Sequence, residues 1–198
     1  MLALLKLSGL IDSLTRFIGR WVIWLILAST LISAVNAIVR KVFNYSSNAF
    51  LEVQWYLFAA SFLLAAGYTL LNHEHVRIDV VASRFSKRVQ ILLDVIGFTF
   101  FLLPLCVTVL YLGIPFFLQG YHSNEMSSNA GGLILWPVYA LLPLGFGLLL
   151  MQAVSELIKR VAFLQGLIDD PTRKADAQTA EEELVEALRL QADKNNKA

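Results

Sequence analysis

The stretch that decides the fold is Gly67–Arg88, GYTLLNHEHVRIDVVASRFSKR. It begins inside an apolar run, carries charges of both signs and two histidines, and ends in a cluster of basic residues. Two long apolar segments precede it and two more follow it. A helix of about 20 apolar residues is long enough to cross the hydrocarbon core of a bilayer. The sequence therefore predicts an all-α integral membrane protein with four transmembrane helices, and this charged connection lies at its middle.

The composition agrees with a membrane protein. The chain has 198 residues, of which 57% are hydrophobic and 16% are charged, and its mean hydropathy is +0.63. A soluble domain carries about 25% charged residues. The net charge is +1, and the basic residues form no continuous stripe. This distribution excludes a nucleic-acid-binding surface. The single cysteine, Cys106, excludes an internal disulfide.

Hydropathy divides the chain into three parts. Residues 1–18 are predicted to form an amphipathic interfacial segment, residues 19–163 a four-helix membrane domain, and residues 164–198 a polar cytoplasmic tail. The four spans are expected at about 21–41, 52–72, 91–117 and 134–158.

The N-terminal segment supports two interpretations. Its apolar residues recur at spacings of three and four, while its polar residues fall largely on other faces. The apolar set is Leu4, Leu7, Ile11, Leu14 and Ile18, and the polar set is Lys6, Asp12, Ser13 and Arg16. This pattern is typical of a helix lying in the membrane interface. The alternative is a simple approach to the first span, and the residues alone leave both open.

The basic residues predict the orientation. Eleven of them lie in the N-terminal segment, in the middle connection or between Lys159 and Lys174 after the fourth span, whereas only Arg40 and Lys41 lie on the opposite side. Because cytoplasmic loops are enriched in Lys and Arg, both termini and the middle connection are expected in the cytoplasm.

Polar side chains on the spans predict contacts between helices. Ser29, Ser33, Asn36 and Arg40 share one face of the first span. Glu52 begins the second span at the level where Arg40 ends the first. Glu52 therefore either pairs with Arg40 or is solvated in the first turn of its helix.

The sequence lacks the motifs of soluble enzymes. It has no glycine-rich phosphate loop, no HExxH, no CxxC and no nucleophile elbow. His73 and His75 are predicted on one side of the membrane and His122 on the other, so no histidines face each other within the spans. The sequence predicts no catalytic residue, no cofactor and no metal site.

A series of short motifs carries a family resemblance. They are Arg40 with Val42-Phe43-Asn44, Glu52 with Trp55-Tyr56-Leu57, Gly67-Tyr68-Thr69-Leu70, His75-Val76-Arg77-Ile78-Asp79, Pro104, Glu125 with Ser127, Gly131-Gly132-Leu133, Trp136-Pro137 and Leu142-Pro143-Leu144. In this order, the chain resembles the small membrane subunit of tripartite ATP-independent periplasmic (TRAP) transporters, the DctQ-like family. The likeness covers about residues 16–165.

The resemblance implies an accessory role without chemistry. In this family a periplasmic binding protein delivers an organic acid to a large multi-span subunit, which transports it using an ion gradient. The small subunit would be a fixed brace in the bacterial inner membrane, surrounded by lipids. The expected partners are therefore the large subunit, and the binding protein transiently.

The same resemblance assigns three groups of residues. Asn36, Arg40, Glu52, Gln54 and Trp55 are expected to pack within the subunit or against the large one. Arg77, Asp79 and Arg84 are expected to fix the cytoplasmic connection or to bind lipid headgroups. Glu125, Gly131, Gly132 and Trp136 are expected to form a periplasmic docking loop.

Two other functions compete with this interpretation. One is a four-helix membrane anchor of a respiratory or redox enzyme, which a haem absorbance band would support. The other is an independent carrier of small solutes, which would transport without any partner.

Overall fold

The computed structural model describes residues 1–44, 47–73 and 85–170. Four helices in these ranges are long and apolar enough to cross a membrane: α1 (Leu2–Phe43), α2 (Asn48–Leu71), α3 (Lys87–Ser123) and α4 (Trp136–Leu164). The predicted all-α, four-helix membrane fold is confirmed. Residues 171–198 of the predicted tail lie outside the described residues, as do Arg77, Asp79 and Arg84.

Helix α1 runs without interruption through the predicted N-terminal segment. Its 42 residues span about 63 Å at 1.5 Å per residue, about twice the hydrocarbon core. Leu4, Leu7 and Leu14 are 43–47% exposed, whereas Asp12 is only 9% exposed. Asp12 therefore packs against protein, whereas Lys6, Ser13 and Arg16, the other members of the polar set, are exposed. The position of residues 1–18 relative to the membrane interface stays a prediction.

Helix α4 is the centre of the bundle. It contacts α1, α2 and α3, while α3 packs almost entirely against α4. Small residues permit the closest crossings between helices. A Cβ at Gly145 of α4 would lie 2.8 Å from the backbone oxygen of Leu63, and one at Gly19 of α1 would lie 2.3 Å from the ring of Tyr68.

Helix α3 contains a wide turn ahead of a proline. Residues Phe98–Leu102 form a π-helical turn, in which the Leu103 N–H donates to the Phe98 carbonyl. Pro104 follows directly, and a proline lacks an N–H and clashes with the carbonyl four residues earlier. The wide turn therefore adapts α3 to Pro104 without ending the span.

Polar side chains join α1 to α4 at the end of the bundle where the chain begins. Asp12 accepts hydrogen bonds from Gln152 Nε2 (2.9 Å), Ser155 Oγ (2.8 Å) and Lys159 Nζ (3.1 Å). Thr15 Oγ1 in turn donates to Gln152 Oε1 (2.8 Å). Gln152 and Ser155 are both fully buried. Each of these polar groups therefore finds its partner on the neighbouring helix.

Three further charges extend these contacts to α3. Glu156 is fully buried and pairs with both Lys159 and Arg160, while Arg160 Nε donates to Asp94 Oδ2 on α3 (3.1 Å). The carboxylate of Asp94 thus has a buried cation beside it. We call this set the inner polar cluster: Asp12, Asp94, Gln152, Ser155, Glu156, Lys159 and Arg160.

Replacing Asp12 should loosen α1 from α4. The substitution Asp12→Ala leaves Lys159, Gln152 and Ser155 without their shared acceptor, and loss of one partner of a largely buried ion pair costs about 3 kcal/mol. We expect a clearly lower thermal unfolding temperature of the detergent-solubilised protein.

The matched control is Asp169→Ala, which removes an exposed carboxylate after the end of α4. This variant should unfold at the wild-type temperature. Equal unfolding temperatures for the two variants would contradict a stabilising role of the inner polar cluster.

Candidate functional site

The connection between α3 and α4 folds into a small hairpin at the opposite end of the bundle. We call residues 124–135 the outer loop. It begins at Asn124 in the left-handed conformation (φ 48°), and Met126 pairs with Ile134 in an antiparallel bridge. The Ser127 N–H donates to the Leu133 carbonyl at 2.9 Å, which closes the hairpin.

Two glycines make this turn possible. Gly131 has φ +71°, a conformation that side-chain-bearing residues rarely adopt. A Cβ at Gly132 would lie 2.6 Å from the Cβ of Ser127. The glycine pair that the sequence predicted to mark a turn is therefore needed for the path of the backbone.

Glu52 of α2 binds the outer loop through both oxygens of its carboxylate. Its Oε1 accepts from Asn129 Nδ2 (2.8 Å) and from the Ser127 hydroxyl, and its Oε2 accepts from the Leu133 N–H (2.6 Å). The loop covers the carboxylate so completely that Glu52 is 1% exposed. Both sequence-based alternatives for Glu52 were wrong, because its partners come from the loop rather than from Arg40 or water.

Two other residues of α2 contribute to the same contact. Asn48 Nδ2 donates to the Ala130 carbonyl (3.0 Å), and the Tyr56 hydroxyl donates to the Ile134 carbonyl (3.1 Å). With Glu52 between them, these residues follow a spacing of four and therefore share one face of α2. The sequence prediction missed Asn48 and Tyr56, although this spacing was visible.

The four residues predicted to form a docking loop lie together at this end. Gly131 and Glu125 are exposed, and the Tyr139 hydroxyl donates to Glu125 at 3.3 Å. Trp136 begins α4 beneath the loop, with its ring edge-on to that of Tyr121 at 5.5 Å. The arrangement presents a firmly held polar surface with a protruding carboxylate.

A polar groove lies beside the outer loop, between the end of α1 and the start of α2. It encloses about 580 Å³ and is lined by three of the predicted packing residues, Asn36, Arg40 and Gln54. Asn36 is 9% exposed, and the backbone oxygen of Gln54 accepts from Ser29 Oγ at 2.9 Å. Trp55 does not line this groove and is 45% exposed.

No reactive centre is evident among residues 1–44, 47–73 and 85–170. They contain no group of three or more His, Cys, Asp or Glu side chains placed to hold a metal ion. Cys106 is fully buried.

Comparison with known proteins identifies one family. The family described as "Tripartite ATP-independent periplasmic transporters, DctQ component" matches residues 29–163, more than half of the chain. The match includes the second part of α1, all of α2 and α3, the outer loop and all of α4 except its last residue. No curated protein matches the sequence.

Removing the charge of Glu52 should release the outer loop. In Glu52→Gln the amide nitrogen cannot accept a hydrogen bond, so at least one of the three loop donors loses its partner. We expect hydrogen exchange at the Leu133 amide to accelerate by about tenfold or more. Exchange mass spectrometry of loop peptides measures this directly.

Glu125→Gln is the matched control, because Glu125 is exposed and has only one long hydrogen bond. It should exchange as the wild type does. If Glu52→Gln also left the exchange of the loop unchanged, Glu52 would not be what holds it.

Proposed function

The chain belongs to the DctQ family, the small membrane subunit of TRAP transporters, and we propose that it braces the large transport subunit. As a transporter component it is a multi-pass protein of the inner membrane. The family works with a large membrane subunit and a periplasmic binding protein. We propose that the assembled transporter uses an ion gradient to import an organic acid.

The observation that supports the bracing role is that buried polar contacts join the helices at both ends of the bundle. The inner polar cluster joins α1, α3 and α4 at one end, and Glu52 joins α2 to the outer loop at the other. Between these ends, α2 and α4 cross closely at Gly145. A subunit that moved its helices during transport would have to break buried ion pairs in each cycle, which is costly. These contacts therefore fit a subunit that stays fixed beside a moving partner better than a subunit whose own helices move.

The polar groove between α1 and α2 supports a contact with the large subunit. Arg40 and Lys41 line the groove near the membrane boundary, beside the largely buried Asn36. Polar side chains at this depth normally face protein or water rather than lipid. We propose that the large subunit covers Asn36, Arg40 and Gln54, while Trp55 packs at the edge of the contact.

The outer loop supports a second contact, with the binding protein. Its hairpin is held by Glu52 and exposes the Glu125 carboxylate and Gly131. A surface whose backbone is already ordered loses little conformational entropy when a partner binds. We propose that this loop faces the periplasm, which places both chain termini in the cytoplasm.

Some assignments depend on residues outside the described ranges. Arg77, Asp79 and Arg84 stay predicted to fix the cytoplasmic connection or to bind lipid headgroups. The segregation of basic residues toward that side supports this assignment. The family match favours the transporter subunit over the alternative of a membrane anchor for a respiratory enzyme.

Affinity purification from the native membrane tests the function. We expect the tagged chain, extracted in mild detergent, to bring a large many-span membrane protein in a ratio near one to one. Mass analysis of the purified material identifies the partner. Purification of the chain alone, or with a haem- or flavin-bearing enzyme, would contradict the proposal.

A bulky side chain on the outer loop should impair docking but not assembly. The Ala130 side chain is exposed, and only its backbone oxygen takes part in holding the loop. We expect Ala130→Trp to raise the binding-protein concentration needed for half-maximal uptake by about tenfold, as a blocked interface centre does. Uptake by reconstituted vesicles is the measurement.

Leu167→Trp is the matched control. Leu167 is 55% exposed and follows the end of α4, at the end of the bundle opposite to the outer loop. Both variants should retain the large subunit. Wild-type concentration dependence for Ala130→Trp would show that the outer loop is not a docking surface.

A further inference from the structure

A second groove lies at the inner end, between the end of α2, the π turn of α3 and the middle of α4. It encloses about 450 Å³ and has apolar walls that include Leu70, Gly97, Leu105 and Leu149. Arg160 and Asp94 of the inner polar cluster line the same groove. We call this cavity the inner groove.

Arg160 has one donor group that the protein leaves unsatisfied. Its side chain is fully buried, Nε donates to Asp94, and Nη1 donates to Glu156. The guanidinium lies over the ring of Phe98 at 4.5 Å. Nη2 has no hydrogen-bond partner in the described part of the chain. Because a buried charged donor without an acceptor is costly, an oxygen from an occupant of the inner groove fits here.

The direction of the groove indicates an elongated, amphipathic occupant. Its polar end lies four residues from the end of α4 at Arg160, and Leu149 lies eleven residues deeper, about 16 Å along the helix. Asp94 and Leu105 show the same gradient on α3. A free phosphate ion would use only the polar end, whereas a phospholipid presents oxygen atoms at the headgroup and an acyl chain at depth.

The surrounding charge selects the headgroup. Of the charged side chains in the inner polar cluster, the carboxylate of Asp94 and the guanidinium of Arg160 line the groove, and they pair with each other at 3.1 Å. His73 lines the same groove. A site with one carboxylate beside one guanidinium matches a zwitterionic headgroup, which offers an oxygen to Arg160 and a cation to Asp94.

We propose that the inner groove binds one zwitterionic phospholipid with a primary ammonium headgroup. A phosphate or ester oxygen of the lipid accepts from Arg160 Nη2, and the ammonium lies on the side of Asp94. One acyl chain follows the wall from Gly97 toward Leu105 and Leu149. Because α3 packs almost entirely on α4, a space remains between α3 and the end of α2. The lipid fills this space.

Filling the groove with a side chain tests the proposal. A Cβ at Gly97 would meet nothing within 4 Å, so Gly97→Leu adds a side chain to the wall of the groove without a clash at its Cβ atom. Gly147 of α4 is equally open and does not line the groove, which makes Gly147→Leu the matched control. Both variants are purified as full chains together with their partners, and bound lipid is identified by native mass spectrometry.

We expect the wild type and Gly147→Leu to retain a phospholipid of the primary-ammonium class. Gly97→Leu should reduce its occupancy by about tenfold. Equal occupancy in the two glycine variants, a wild type without bound lipid, or retention of only anionic lipid would overturn the proposal. The large subunit is observed in the same spectra. Loss of the complex between the two subunits, which would contradict the proposed function, is therefore distinguished from loss of the lipid.

Arg160→Lys provides a second test that preserves the charge. Lysine keeps the positive charge but lacks the guanidinium fork. In nanodiscs of defined lipid, we expect this variant to retain a primary-ammonium lipid and a trimethylammonium lipid of the same chain length each about tenfold less than the wild type does, because both lipids present the same phosphate oxygens to Arg160. Unchanged retention of both lipids would exclude Arg160 from headgroup recognition. Displacement of the lipid by the large subunit in the assembled complex would also refute the site.

Discussion

A polar side chain inside an apolar slab must find its hydrogen-bond partner within the protein, and the rest of this structure depends on that constraint. The clearest case is Asp12, which accepts three hydrogen bonds from α4. Glu52 does the same for the outer loop at the other end. Because both carboxylates are buried, and a buried charge without a partner is costly, each contact favours one arrangement of helices over all others. The two contacts together explain how a small bundle with few buried apolar side chains holds its shape.

The same constraint explains why polar and apolar side chains occupy different parts of the surface. Polar groups near both ends are largely used inside the subunit, so the middle of the bundle presents mainly apolar side chains to its surroundings. Among the described residues, Arg160 is the exception, since its Nη2 atom has no hydrogen-bond partner and the residue lines the inner groove. That groove lies beside the π turn of α3, a helix that packs almost entirely against α4.

Much of the fold was predictable because it depends on hydropathy alone. Four apolar runs of sufficient length require four spans, and the motif order was enough to indicate the family that the comparison identified. The partners of the charges were not predictable, because they depend on which helices become neighbours. Asp12 was assigned to a water-facing side, since the apolar residues of its segment form a stripe of their own. The spacing of Ser8, Asp12, Thr15 and Gly19 was the missed signal, because that second stripe is buried against the bundle.

Whether the inner polar cluster makes the subunit one rigid body is best tested by a distance measurement between spin labels. Labels at the exposed positions Ser13 on α1 and Val154 on α4 flank the cluster, and the fully buried Cys106 does not compete for labelling. Pulsed electron resonance would be recorded on the assembled transporter, with and without substrate and coupling ion. We expect a single narrow distance that is the same in both conditions. A broad distribution, or one that shifts with substrate, would contradict a fixed brace.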